Sequence, residues 1–131
     1  MTEPLVGGCA CGAIRYTATG PVKFAFRCQC RACQRDSGGG HLPLAAVPRN
    51  GFSHTGTPAF HARATDSGHA LRKAFCPACG SPLWNEPARA PALVVLMAGN
   101  LDDPAAVTTE RTVYAESAIP WDTIAAEEGS A

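Results

Sequence analysis

The chain has 131 residues, which is close to the usual size of one globular domain and too short for two. Its 11 basic residues balance its 11 acidic residues, so no net field steers it onto nucleic acid or a membrane surface, and neither is an expected partner. The longest apolar run, Ala92–Ala98, is far shorter than the ~20 residues of a membrane span, and no basic start precedes an apolar stretch, so we expect a soluble cytoplasmic protein.

Alternating apolar and polar residues predict short strands in the first half of the chain. The alternation covers Ala13–Ala18 and, after a Gly-Pro turn, Val22–Cys28. The stretch Arg31–Asp36 has room for one or two helical turns before a glycine run breaks it. His41–Val47 is predicted to be extended, and the prolines in and after it favour an edge position in a sheet.

The second half continues the same pattern. Phe60–Ala64 and Ala70–Phe75 flank a polar turn and predict a hairpin. Leu83–Asn85 predicts a short strand, Ala92–Ala98 predicts the most buried strand, and Arg111–Ala115 is the last strand candidate.

Other features complete the expected fold. Asp102 or Asp103 can cap a helical turn over Pro104–Val107. Residues 125–131 are expected to form a frayed tail, and Trp84 and Trp121 are expected in the core. Many short strands with almost no helix predict an all-β domain that takes in the whole chain, residues 1–131.

The seven cysteines carry the strongest functional signal, because every one lies within three residues of another. An odd number without an export signal argues against a disulfide framework. Clustered thiols are what metal chelation requires, and thiolate sulfur is a preferred ligand of Zn²⁺.

Four of these cysteines, which we call the quartet, are predicted to form a closed structural zinc site. Cys76 and Cys79 flank a tight turn in which both thiolates can reach one tetrahedral ion. If the segment around Cys9 and Cys11 is extended, both of its side chains point to the same side and complete the site.

The other three, Cys28, Cys30 and Cys33, form what we call the triplet. Catalytic zinc sites keep one position open, so three thiolates predict an open site at which an incoming thiol loses its proton. A fourth ligand, such as His41 or a side chain of a partner, would close the site, and the three could also be free thiols.

Basic residues surround the triplet at four-residue spacing. Arg27, Arg31 and Arg35 could offset the negative charge of a thiolate-rich site or hold a carboxylate of the substrate. They could equally belong to a solvated surface. His41, just beyond the glycine run, is a further candidate for substrate binding.

The cysteines and their flanking residues together resemble one family. The segments that carry the likeness are Gly7–Tyr16, the triplet, Phe75–Leu83, Ala98–Pro104 and the region of Trp121. They are similar to the glutathione-dependent formaldehyde-activating (GFA) family, which shares the centromere protein V domain and the Mss4-like fold.

The resemblance implies an all-β, Mss4-like fold of short antiparallel strands with two zinc ions per chain. It implies a structural ion on the quartet, a catalytic ion on the triplet, and a reaction that joins glutathione and formaldehyde, a carbon–sulfur lyase in the reverse sense. The assignment of cysteine pairs to ions also depends on it. Family members commonly have histidine where this chain has Gln29, and an amide does not titrate near neutral pH.

Three hypotheses follow. The first is an enzyme that activates glutathione or a similar small thiol for addition to formaldehyde or another small aldehyde, acting as a monomer or a homodimer. The alternative is a non-catalytic, zinc-stabilised binding module of the same fold. The third is a sensor in which a labile triplet responds to zinc or to oxidants.

Overall fold

The computed structural model describes residues 3–124, so the predicted frayed tail at 125–131 lies outside the described residues. This part of the chain forms ten strands and one α-helix, α1, at Arg31–Ser37. The strands are β1 (Leu5–Gly8), β2 (Arg15–Ala18), β3 (Phe24–Cys28), β4 (Leu42–Pro48), β5 (Phe52–Thr55), β6 (Ala59–Ala64), β7 (Ala70–Phe75), β8 (Pro82–Pro87), β9 (Leu93–Met97) and β10 (Arg111–Val113). No helix within residues 3–124 is long and apolar enough to cross a bilayer.

The strands form two sheets, a small one in the order β1-β2-β5 and a seven-stranded one in the order β10-β3-β4-β9-β8-β7-β6. The all-β class is therefore confirmed. The expectation of antiparallel strands is wrong for one pair, because β10 runs parallel to β3. These two strands lie far apart in the chain, so no tight hairpin dictates their relative direction.

The main core lies between the two sheets. Trp84 on β8 is fully buried, and its ring packs edge-on against Phe52 of the small sheet at a centroid distance of 4.8 Å. Tyr16 of β2 packs against the same indole at 6.0 Å. These aromatic contacts fix the small sheet on one face of the large one.

Strand β9 is buried on both faces, as its unbroken apolar sequence predicts. Val94 and Leu96 belong to the main core, whereas Val95 and Met97 belong to a second apolar cluster that includes Cys28. The triplet is thereby attached to the face of the large sheet that the small sheet does not cover.

Strand β4 is central, which corrects the predicted edge position. It pairs with β3 along its first five residues and with β9 from Leu44 to Pro48. Pro43 precedes the stretch paired with β9, and Pro48 ends the strand. Each proline removes at most one hydrogen bond from the sheet, because it lacks the backbone N–H but keeps its carbonyl.

Several local predictions are confirmed. The β6–β7 hairpin forms as predicted, with Ala64 opposite Ala70. The Asp103 side chain accepts from the Ala105 N–H at 3.1 Å and caps the short helical turn that starts at Pro104. Trp121, in contrast, is 69% exposed and not in the core, because the segment after β10 turns the neighbouring Asp122 inward instead.

Candidate metal centres

The structure brings the seven cysteines into two groups of possible metal ligands, and within each group all sulfur atoms lie within 4.8 Å of one another. The two groups are the quartet (Cys9, Cys11, Cys76 and Cys79) and the triplet (Cys28, Cys30 and Cys33).

Two turns carry the quartet. Cys9 and Cys11 lie in a turn after β1, closed by the Gly12 N–H bonding to the Cys9 carbonyl at 3.2 Å, so the segment is not extended as expected. In the second turn the Gly80 N–H donates to the Cys76 carbonyl at 2.7 Å, and Gly80 has a φ of 80° that suits glycine.

Ser81 ties the two turns together. Its hydroxyl accepts from the Ala10 N–H at 3.0 Å and lies 3.2 Å from the Cys79 sulfur. The Ser81 hydrogen bond is the main reason why the pKa of Cys79 is lowered to about 5. The sequence carries no signal for this role of Ser81, because the partner lies 71 residues away.

The quartet fits a tetrahedral zinc ion. The Cys9 and Cys11 sulfurs are 3.6 Å apart, and those of Cys11 and Cys76 are 3.8 Å apart. Zinc–sulfur bonds of about 2.3 Å at tetrahedral angles place ligands roughly 3.8 Å apart. Backbone N–H groups also donate to the sulfurs, that of Ile14 to Cys9 at 3.3 Å and that of Cys79 to Cys76 at 3.4 Å. Such donors stabilise thiolates.

The triplet lies where β3 passes into α1. Cys28 ends β3, and Cys30 is the N-cap of the helix, with its sulfur accepting from the Cys33 N–H at 3.3 Å. The helix ends one residue before Gly38, whose φ of 75° suits a glycine C-cap. Cys28 and Cys33 are buried and Cys30 is partly exposed, so the triplet is open to solvent on the side of Cys30.

Hydrogen bonding within the triplet shifts the pKa values of Cys28 and Cys33 in opposite directions. The hydrogen bond from Cys33 is the main cause that lowers the pKa of Cys28 to about 6, and the same bond raises the pKa of Cys33. The positive charge of Arg63 on β6 also lowers the pKa of Cys28. A thiolate beside further thiols is a soft donor set that suits zinc.

The predicted basic residues have different surroundings. Arg27 is buried and donates to the Thr109 carbonyl at 2.5 Å and, through Nε, to Thr112 at 3.1 Å. It therefore ties β3 to the segment around β10. Arg31 hydrogen-bonds the side-chain oxygen of Gln34, one turn further along α1. Arg35 lines a cavity beside α1.

His41 belongs to a polar cluster beside the triplet rather than to the group of possible metal ligands. Its Nδ1 is 2.9 Å from Oδ2 of Asp122. The buried Gln29 side chain, between the first two cysteines of the triplet, donates to the same oxygen at 3.4 Å. Asp122 packs so closely on Gly40 that a Cβ there would lie 2.1 Å from the carboxyl carbon. Nothing in the sequence indicates this role of Asp122.

Fold and site define an all-β protein with two sets of cysteines suited to metal binding. Comparison with known proteins identifies the family. Residues 4–117 match the model of the glutathione-dependent formaldehyde-activating enzyme family, to which the chain therefore belongs. The resemblance inferred from the sequence is confirmed.

Two individual proteins are similar to the chain. A protein of Halomonas elongata, provisionally named as a glutathione-dependent formaldehyde-activating enzyme, is 30% identical over 105 residues, which are 75% of this chain and 66% of the relative. The chain thus spans just under two thirds of that protein's length. A crystal structure of a Rhodobacter sphaeroides protein matches with a TM-score of 0.64 at 17% identity, covering 82% of this chain and 99% of that one. That likeness supports the fold alone.

Proposed function

We propose that the chain is a zinc-dependent enzyme that adds glutathione or a similar small thiol to formaldehyde or another small aldehyde. The triplet carries this proposal, because within residues 3–124 its ligand group holds three sulfurs and no fourth His, Cys, Asp or Glu. An open fourth position is typical of catalytic zinc. The family and the name of the Halomonas relative support glutathione and formaldehyde as the reactants.

The reaction is an addition without net oxidation. The thiol sulfur forms a bond to the carbonyl carbon, the π bond of the carbonyl breaks, and the thiol proton ends on the former carbonyl oxygen. A zinc ion on the triplet would supply the Lewis acidity that lowers the pKa of an incoming thiol. Breaking the same carbon–sulfur bond is the lyase direction.

Residues beside the triplet can hold the proton that moves. Because Nδ1 of His41 hydrogen-bonds Asp122, the imidazole ring is fixed in one orientation. We assign Nε2 of His41 as the atom that takes the thiol proton and returns it to oxygen. Gln29 lies closer to the triplet in sequence, but an amide cannot do this near neutral pH.

Zinc content and reaction rate test the proposal. The purified protein should contain two zinc equivalents and accelerate the formation of S-(hydroxymethyl)glutathione over the spontaneous reaction, followed by exchange NMR. Cys30→Ser should lose one zinc equivalent and the acceleration while the melting temperature stays high. Ala32→Ser, one position away from the ligands on α1, is the matched control and should retain both.

Two outcomes would contradict the proposal. Full acceleration in Cys30→Ser would exclude the triplet as the reacting site. Two zinc equivalents without any acceleration would identify the alternative, a zinc-stabilised binding module.

A further inference from the structure

The segment that follows β10 lies against the loop that carries the triplet. We call this segment, residues 113–122, the strap. At its start the Val113 carbonyl accepts from the Gln29 N–H at 3.0 Å, and at its end Asp122 accepts from the Gln29 side chain at 3.4 Å. The same Asp122 carboxylate holds His41, so the position of the strap determines where the imidazole stands.

Gln34 on α1 joins the strap to the triplet between these two contacts. Its side-chain nitrogen donates to the Gln29 carbonyl at 2.8 Å and to the Ser117 carbonyl at 2.9 Å. Gln29 lies between Cys28 and Cys30, whereas Ser117 belongs to the strap and is 83 residues away from Gln34 in the chain. One amide therefore bridges the triplet loop and the strap.

The amide of Gln34 can adopt only one orientation at this place. A carbonyl can only accept, so the amide nitrogen faces both carbonyls and the amide oxygen faces away from them. That oxygen accepts from Nη1 of Arg31. Gln34 is 4% exposed, so water replaces a lost hydrogen bond poorly and the two carbonyls would stay unsatisfied.

The helix fixes Gln34 relative to the triplet. Gln34 follows Cys33 directly, and its backbone N–H donates to the Cys30 carbonyl at 2.9 Å. At the other end of this turn the Gly38 N–H donates to the Gln34 carbonyl at 2.8 Å. The side chain therefore starts from a backbone that is part of the same helical turn as two of the three cysteines.

We infer that Gln34 is a positioning residue for His41. By bridging the triplet loop and the strap, it holds Asp122, and through Asp122 the imidazole, at a fixed place beside the triplet. Gln34 acts through the strap and not on the reactants. The inference rests on the proposed function for the role of His41, whereas the bridge itself can be tested without any reaction.

Hydrogen exchange tests the bridge. In the strap the Ser117 and Asp122 N–H groups donate to the carbonyls of Tyr114 and Ile119, and they exchange with solvent when the strap opens. Gln34→Met keeps the size of the side chain but removes both bonds of the bridge. It should raise the deuterium exchange rate of the strap at least tenfold, the scale of one ordinary hydrogen bond. Mass spectrometry of the zinc-loaded protein measures the rate.

Asn100→Ala is the matched control. The Asn100 side-chain nitrogen also donates to two backbone carbonyls, but these belong to Pro82 and Leu83 at the start of β8. The control should lower the melting temperature at least as much as Gln34→Met does and leave the exchange of the strap unchanged. An equal increase of strap exchange in both variants would overturn the inference, because it would reflect general destabilisation.

Gln34→Asn covers the case in which Gln34→Met fails to fold. It keeps the amide but is one methylene shorter, so it should also raise the exchange of the strap. Unchanged exchange in a folded variant of Gln34 would overturn the inference. Loss of folding in both variants would also overturn it, since Gln34 would then be required for the fold itself.

A double-mutant cycle tests whether Gln34 acts through His41. Gln34→Met should lower kcat about tenfold and leave KM nearly unchanged, because it displaces a proton carrier and not a group that binds the thiol. In the His41→Ala background the same substitution should lower kcat less than twofold, since residues that act as one unit are not additive. Equal losses in the two backgrounds would overturn the positioning role.

The two readouts separate this inference from the proposed function. If the unaltered protein does not accelerate the reaction but Gln34→Met accelerates strap exchange, only the reaction is wrong. If the reaction is catalysed and strap exchange does not change in Gln34→Met, only the inference is wrong.

Discussion

The hydroxyl of Tyr16 donates a hydrogen bond to the side-chain oxygen of Asn100. Asn100 in turn donates to the carbonyls of Pro82, at 2.8 Å, and Leu83, at 3.0 Å. Burial raises the pKa of Tyr16, so the phenol stays protonated and acts as the donor. The bond links the small sheet to the start of β8, directly after the turn that carries Cys76 and Cys79.

Tyr16→Phe should lower the free energy of unfolding by about 1 kcal/mol, since it removes this hydrogen bond and little else. Gly7→Ala should be more destabilising, because a Cβ at Gly7 would lie 2.6 Å from both the Tyr16 hydroxyl and the Asn100 carbonyl oxygen. Denaturant titration measures both. Gly99→Ala, with nothing near its Cβ position, is the control. Equal stability of the Gly7 and Gly99 variants would show that this close packing is unimportant.

Cys79→Ser should remove one metal equivalent and lower the melting temperature much more than Cys30→Ser does. The quartet joins turns that lie far apart in the chain, so metal binding there contributes directly to folding. Metal analysis and thermal denaturation provide the two readouts. Ala78→Ser, in the same turn, should change neither. A variant without Cys79 that kept its melting temperature would argue against a structural ion on the quartet.

His41→Ala should lower kcat for the thiol addition by about 10²-fold, the usual scale for losing a general acid–base group. Asp122→Asn should lower it less, because the imidazole remains but is held less firmly. Steady-state kinetics with glutathione and formaldehyde give kcat and KM separately. His69→Ala, in the hairpin turn between β6 and β7, is the control. An unchanged kcat in His41→Ala would remove His41 from the mechanism.

The ion pair between Arg15 and Asp102 should make a small, pH-dependent contribution to stability. Arg15 Nη1 donates to Asp102 Oδ1 at 2.9 Å, and this hydrogen bonding lowers the pKa of Asp102 below its usual 3.8. Because the folded pKa is the lower one, the contribution is complete above the unfolded pKa and is lost as the pH falls through the folded one.

Asp102→Asn should therefore melt slightly below the unaltered protein from pH 8 to about 5, with the gap closing below about pH 4. Thermal denaturation across this range measures the gap. Asp66→Asn, in an exposed turn, should show no such gap. A gap that widens as the pH falls would mean that the pair does not stabilise the fold.

Local sequence patterns predicted much of this fold. The β6–β7 hairpin, the buried β9 and the Asp103 cap were all predictable, because alternation, turn residues and capping act between near neighbours. β1 and β5 were not predicted. Their sequences, Leu5–Gly8 and Phe52–Thr55, are four residues long, and only pairing with β2 reveals them as strands.

The sequence by itself determined that the cysteines form close pairs and a triplet, because residues within three positions of one another remain neighbours in almost any fold. Only the tertiary structure decided that the two turns of the quartet meet, that Asp122 reaches His41, and that Arg63 of β6 lies beside Asp36 of α1. These contacts join residues far apart in the chain. The order and register of the strands determine such contacts. They cannot be predicted from a single polar residue in the sequence.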